Sequence, residues 1–339
     1  MITLDGARGE GGGQILRAAL GLSLLTGEPF RIERIRARRR RPGLQPQHLA
    51  AVAAAAEVGA AAVEGATRGS QTLVFRPGRV RSGRYHFAVG TAGSTVLVLQ
   101  TVLLPLCLAA GPSSVRLEGG THNPQAPPFE FLERSFLPLL ARMGAGVAAV
   151  LDRPGFYPAG GGELRVEIAG GSRLSPLTLL ERGGVRRRLA RAMVARLPRT
   201  IAERELAVVR SRLGWGEDEV EIAVLDARAT GPGNVLLLEV ESEHVTEVIS
   251  GFGQRGVPAE TVAERAADEA QRYLASGVPV GVHLADQLLV PLAVAGGGAF
   301  RTLPLSGHGA TSVAVIRELT GVGVSVVEEA GGVVVTISR

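Results

Sequence analysis

The chain has 339 residues, 45% hydrophobic and 20% charged, which excludes a disordered polymer and provides a sizeable core for two domains, or one with an insertion. The formal net charge of +5 favours anionic partners, and an aromatic content of 4% argues against a long single-strand groove of stacked bases. All 37 basic residues are arginine, so no lysine can serve as Schiff base, nucleotide-carrying nucleophile or phosphate-loop cation.

In chain order, the first predicted elements are a helix from about Gln14 to Leu25, the turn Thr26-Gly27-Glu28-Pro29, and a strand to about Arg36. A polar loop to Gln47 leads into a helix through Glu57. The pattern returns as a helix from Ser94 to Ala109, the turn Gly111-Pro112-Ser113, a strand Val115 to Glu118, a loop Gly119 to Pro128 and a helix Phe129 to Met143. It returns again as a helix His283 to Ala295, the turn Gly296-Gly297-Gly298 and a strand near Phe300 to Leu305. A loop Ser306 to Gly309, a helix Thr311 to Leu319 and strands Val322 to Glu328 and Gly332 to Ser338 close it. These are repeated units, so the expected class is α/β (α+β): three βαβαββ-type units plus a small inserted α+β domain.

The spacing between repeats locates the insertion. Ser94 follows Gln14 by 80 residues and His283 follows Ser94 by 189. The expected division is residues 1–183 and 278–339 for the large domain and 184–277 for the small one, placed before the third unit. Within the insertion the reading is a strand near Val185, a helix Pro198 to Leu213, strands Val220 to Ala227 and Asn234 to Ser242 joined by Gly231-Pro232-Gly233, and a helix Ala259 to Ala275. The longest apolar run, Val96 to Ala110, is interrupted by Gln100, Thr101 and Pro105 and falls short of a membrane span of about 20 residues. The opening residues carry Asp5, Arg8 and Glu10 without an apolar run, and Cys107 is the single cysteine. The expectation is a cytoplasmic chain with no leader and no membrane partner.

Three helix starts fall at corresponding places: Gly9 to Gln14, Gly90 to Ser94, and His283 to Gln287. Packed around a pseudo-threefold axis, they and the polar loops would meet in one cleft, with free N–H groups suited to phosphates. Gly9 to Gln14 reads either as a metal or nucleotide site built around Glu10, or as a flexible turn at a helix start. Arg31 to Arg41 holds seven arginines. It reads as an anion grip, with Arg34 and Arg36 on the wet face of a strand, or as a solvated charge run. Among six histidines, His86 and His244 carry no signal of function, while His283 and Asp286 stand three residues apart on one helix face. His308, between two glycines and ahead of a helix, is the candidate nucleophile or acid–base group.

Together these segments resemble the RNA 3′-terminal phosphate cyclase family. The resemblance is carried by Gly9-Glu10-Gly11-Gly12-Gly13-Gln14-Ile15-Leu16-Arg17, Arg41-Pro42-Gly43-Leu44 with Gln47-His48, Gly69-Ser70-Gln71, and Gly93-Ser94-Thr95 through Gln100. It continues through Gly119-Gly120-Thr121 to Pro127-Pro128, Phe156 to Gly162, Gly231-Pro232-Gly233-Asn234, His283 to Leu288 and the His308 loop. The matches are collinear over almost the whole chain. The family's fold has three units, each like the C-terminal domain of a translation initiation factor, with a small α+β domain inserted before the third.

The resemblance implies ATP-dependent conversion of an RNA 3′-phosphate to a 2′,3′-cyclic phosphate. It makes His308 the nucleophile that takes AMP from ATP, which answers the missing lysine. Glu10 matches the residue for a divalent metal (magnesium or manganese), and Asp286 an essential carboxylate that orients His308 or assists the metal. Arg17, Arg36, Arg39, Gln47 and Gln100 match residues near the phosphates and the RNA end. Gln100, Pro127, Phe131, His283, Asp286 and Gln287 are the implied ATP site, with Pro127 and Phe131 at the adenine. ATP and RNA 3′-phosphate ends are the implied partners, with no obligate protein partner. Two departures stand out: His283 replaces a tyrosine of some relatives, and Ser312 a common asparagine. Enolpyruvyl transferases share the repeated architecture but depend on active-site lysines. A non-catalytic ribosome-assembly branch of the family lacks the histidine nucleophile, which is present here.

Overall fold

The strands that open each unit, of which the sequence marks only the one around His86, fix the topology of the repeats. The computed structural model describes residues 1–339. The first unit runs β1 (Ile2–Asp5), α1 (Gln14–Thr26), β2 (Phe30–Glu33), α2 (Pro46–Val58), β3 (Ala62–Glu64) and β4 (Leu73–Arg76). The second runs β5 (Arg84–Ala88), α3 (Thr95–Leu108), β6 (Ser113–Gly119), α4 (Phe129–Phe131), a π-helical turn Leu132–Phe136, α5 (Leu137–Arg142), β7 (Val147–Arg153) and β8 (Gly162–Ile168). The third opens with β9 (Leu177–Leu179).

The chain then leaves the unit for β10 (Val185–Ala195), α6 (Thr200–Leu213), β11 (Val220–Val224), β12 (Gly233–Ser242), β13 (Thr246–Phe252) and α7 (Ala259–Ser276). It returns through α8 (Val282–Ala295), β14 (Gly297–Thr302), α9 (Gly307–Thr320), β15 (Gly323–Glu329) and β16 (Gly332–Ser338). The three sheets are ordered β1-β2-β4-β3, β5-β6-β8-β7 and β9-β14-β16-β15. In each, the first two strands are parallel across a helix and the rest pair antiparallel. This is the expected βαβαββ repeat. β9 pairs with β14, so the chain between them leaves the third sheet after its first strand.

The inserted sheet is ordered β11-β10-β12-β13, with β11 parallel to β10. Gly231-Pro232-Gly233 therefore joins strands on opposite sides of β10 and is not a hairpin turn, and β13 is a strand that the sequence reading missed. Both faces of this sheet are covered, as period-two alternation allows. Ala190, Ala192, Val194, Leu236, Leu238 and Val240 pack under α6 and α7. Met193, Ala195, Val235 and Leu237 join the core of the repeated units. No helix is long and apolar enough to cross a membrane.

Two local expectations near the cleft are corrected. The segment Arg34-Ile35-Arg36 is not a strand: β2 stops at Glu33, and Arg34 and Arg36 have φ of +53° and +54°. Side-chain bonding outweighs the alternation, since the Arg34 guanidinium holds the Asp5 carboxylate at 2.9 and 2.5 Å while Ile35 is buried. His308 is not in a loop ahead of a helix but in the first turn of α9, which begins at Gly307 behind the N-cap Ser306.

Candidate active site

The turn between β1 and α1 places Glu10. Gly11 has φ of +61°, a region that suits glycine, and a Cβ at Gly12 would stand 1.7 Å from Glu10 Oε1. The backbone thus folds over its own carboxylate and turns it into a cleft of about 1080 Å³. Glu10 Oε2 accepts a hydrogen bond from Arg39 at 2.5 Å and lies 3.5 Å from His308 Nε2. The imidazole is about half exposed, at 47%, as an attacking group must be.

Four arginines line the same cleft: Arg17, Arg36, Arg39 and Arg41. Arg17 donates to Gln14 at 2.8 Å, its Nε is buried without a partner, and burial pushes its guanidinium down to about 10. Arg36 is lowered by burial and by Arg39 beside it. Such under-compensated guanidinium groups provide the forks that hold phosphate oxygens. Gln47 ties the first unit to the second, its Oε1 accepting from the N–H of Ser94 at 3.2 Å, where Ser94 caps α3. Beside it His48 accepts from the Gln45 N–H through Nδ1 at 3.1 Å. Burial and then Arg17 and Arg36 drive His48 down to about 3, so it stays neutral.

The carboxylate of Asp286 reaches His308 indirectly. Ser306 Oγ donates to both Asp286 oxygens, at 2.9 and 2.8 Å, and accepts from the Gly309 N–H at 3.0 Å. Burial raises Asp286, opposed by the Ser306 hydroxyl and by His283 and His308 nearby. Asp286 thereby fixes the first turn of α9, which carries His308.

The structure brings Glu10, Arg17, Arg36, Arg39, Gln47 and His308 into one cleft. Gln100, Gln287 and Asp286 line a separate cavity of about 50 Å³ that shares Arg17 with it. Asp286 is buried, whereas the His283 side chain is 63% exposed and lies 3.6 Å from Glu269, while still near enough to Asp286 to favour its charged form. His283 instead borders a cavity with Glu247 and Tyr273. Of the expected adenine-side residues, Phe131 is buried in the core and Pro127 is half-buried, and neither lines the arginine cleft. Only the first two helix starts open into that cleft; the third acts through Asp286 and Ser306. Ser306 and Tyr157 were missed. A serine three residues before Gly309 at a helix start was the legible signal for the first, and the second lay within the Phe156 to Gly162 segment of the resemblance without being singled out.

No three His, Cys, Asp or Glu side chains are grouped as a metal cluster. The donor set still fits a magnesium-like ion that arrives with its phosphates, since such ions take one or two carboxylates and complete their shell with water and phosphate oxygens. Glu10 is the carboxylate in position to supply this.

A half-exposed histidine against a carboxylate, in an arginine-lined cleft between two repeated units, defines a protein that handles phosphate-bearing ligands. A model of the family described as RNA 3′-terminal phosphate cyclase matches residues 8–326. The chain is 56% identical over 321 residues to an RNA 3′-terminal phosphate cyclase of Ectopseudomonas mendocina (strain ymp), covering 95% of this chain and 93% of the relative. It is 52% identical to one of Ralstonia nicotianae (strain ATCC BAA-1114 / GMI1000), covering 99% and 96%, and 51% identical to one of Koribacter versatilis (strain Ellin345), covering 97% and 92%. The chain belongs to the RNA 3′-terminal phosphate cyclase family.

Proposed function

We propose that this chain converts RNA 3′-phosphate ends to 2′,3′-cyclic phosphates at the expense of ATP. The observation that carries the reading is His308 Nε2 facing Glu10 Oε2 at 3.5 Å in the arginine cleft of a chain without lysine. The neutral imidazole attacks the α-phosphorus of ATP, forming an N–P bond and expelling pyrophosphate. An oxygen of the RNA 3′-phosphate then attacks that phosphorus, breaking the N–P bond and freeing His308. Last, the vicinal 2′-hydroxyl loses its proton and attacks the 3′-phosphorus, closing the cyclic phosphate and expelling AMP. A divalent ion held by Glu10 and the ATP phosphates would offset their charge.

In this reading Arg17, Arg36, Arg39 and Gln47 hold the RNA phosphate. Gln100, Asp286 and Gln287 lie toward the ATP side with Pro127, Phe131 and His283, and Asp286 positions His308 through Ser306. Residues 184–277 are an inserted domain, and the single buried Cys107 suits a reducing cytoplasm. The test is ATP labelled at the α-phosphate, given to wild type and His308→Ala. Acid-labile, alkali-stable label on wild type alone, discharged by RNA bearing a 3′-phosphate, is the expected result. Equal label on both proteins would remove His308 from the role, and none on either would remove the catalytic reading.

A further inference from the structure

The chain is poor in aromatic residues, and those it has are packed away, with one exception. Tyr157 is 65% exposed and is the only Phe, Tyr or Trp among the large exposed side chains. It stands in the lining of the arginine cleft, together with Arg39, Arg41 and His308. Exposing a lone large ring at the mouth of a charged cleft forgoes the burial that stabilises the chain's other aromatic side chains.

The segment behind this ring is fixed. Phe156 is buried and stacks on His122 with ring centroids 5.1 Å apart, and His122 in turn bonds Glu130 at 2.9 Å. The ring of Phe156 lies so close to the inserted segment that a Cβ on Gly233 would come within 1.9 Å of it. The loop closes on itself through the Gly160 N–H to the Phe156 carbonyl at 2.7 Å. Thr230 and Arg153 then hold the carbonyls of Gly160 and Gly161 at 2.9 and 2.6 Å. Tyr157 is therefore an open ring on an anchored loop, which is the preorganised form that stacking a flat ligand requires.

We propose that Tyr157 is the platform on which the terminal nucleobase of the RNA stacks while its 3′-phosphate sits among the arginines. This rests on the cyclase reading for the identity of the RNA. A base presents a π-face whatever its sequence, so the contact grips the end of any RNA without reading it. One platform at the end of a phosphate grip also suits a chain with too few aromatic residues for an extended groove. The adenine of ATP has the same chemistry, and the measurement separates the two sources.

The test uses the full chain, a short fluorescent oligoribonucleotide with a 3′-phosphate, and its twin lacking the terminal base. Tyr157→Ala is expected to weaken binding of the intact RNA about tenfold, within the range of one lost base–aromatic stack, and Tyr157→Phe to restore it. The abasic twin should bind wild type and Tyr157→Ala alike. Labelling of His308 by ATP, a step that needs no RNA, should keep its wild-type rate. Unchanged RNA affinity in Tyr157→Ala, or additive losses from the variant and the missing base, would overturn the proposal. A raised KM for ATP in labelling with intact RNA affinity would assign the ring to ATP instead. Absence of label on wild type would remove the cyclase reading, whereas the binding arm reads Tyr157 regardless.

Discussion

Glu10 Oε2 is shared between two partners of opposite consequence: Arg39 at 2.5 Å and His308 Nε2 at 3.5 Å. The arginine holds the carboxylate in place and the carboxylate faces the imidazole. On the proposed reading, an incoming phosphate would compete with Glu10 for Arg39, and a divalent ion would be held by the carboxylate so freed. Glu10→Gln keeps the shape but not the charge. It is expected to slow His308 labelling by about 10- to 100-fold, the scale on which a lost partner in a metal's surroundings is felt, and to demand more divalent metal. Labelling rates measured across a metal titration check this. An unchanged metal dependence would remove Glu10 from the metal's surroundings.

The Asp286–Ser306 contact acts on stability and rate together. Ser306→Ala removes an N-cap, which costs about 1 kcal/mol, and strips a buried carboxylate of a donor. A lower Tm and slower labelling are expected, with Ser306→Thr close to wild type in both. If Asp286 acted on His308 directly, Ser306→Ala would leave labelling at its wild-type rate. Thermal melts run beside labelling assays separate the two.

Much of this was legible because it depends on short-range pattern. Helix α1 was readable from its apolar spacing and the left-handed Gly27 behind it, and the βαβαββ period from the return of that pattern. Strands β1, β5 and β9 were not readable as unit openings: they are three to five residues long and gain their place only from parallel partners distant in sequence. The Arg34–Arg36 turn misled because alternation ignores Asp5, 29 residues away. The candidate residues of the first unit and His308 line one cleft, as their repeat positions led one to expect. The separate partners of the neighbouring His283 and Asp286, Glu269 for the one and Ser306 for the other, were not legible, since helix spacing shows neither.

Arg39 offers a test of the phosphate grip that does not depend on catalysis. Arg39→Ala should weaken binding of 3′-phosphate RNA and flatten its salt dependence by roughly 0.7 in log–log slope, the share of one phosphate contact on a single strand. Arg39→Lys should recover the slope but only part of the affinity, because an ammonium cannot form the two-pronged bond. Binding isotherms across salt concentrations, with 3′-hydroxyl RNA as control, decide it. Equal losses for the two RNAs would place Arg39 on the chain rather than on its terminal phosphate.

Glu247 predicts how stability follows pH. It is 2% exposed, accepts the Gly281 N–H at 2.8 Å, and burial, with Glu269 nearby, pushes it up from the ordinary 4.5 to about 8. Burial likewise raises Glu205 to about 7. Between pH 4.5 and their folded values the native chain binds more protons than the unfolded one, so their contribution is full below 4.5 and falls as pH rises. His48, lowered to about 3 from an ordinary 6.5, has the opposite sign, but its contribution is complete above about pH 6.5. The net expectation from these groups is a Tm that declines from about pH 6.5 to pH 8. Glu247→Gln, which keeps an acceptor for Gly281 without a charge to bury, should flatten part of that decline and gain most over wild type at pH 8. Wild-type and variant curves that run parallel from pH 5 to pH 9 would show that Glu247 titrates as an exposed carboxylate does.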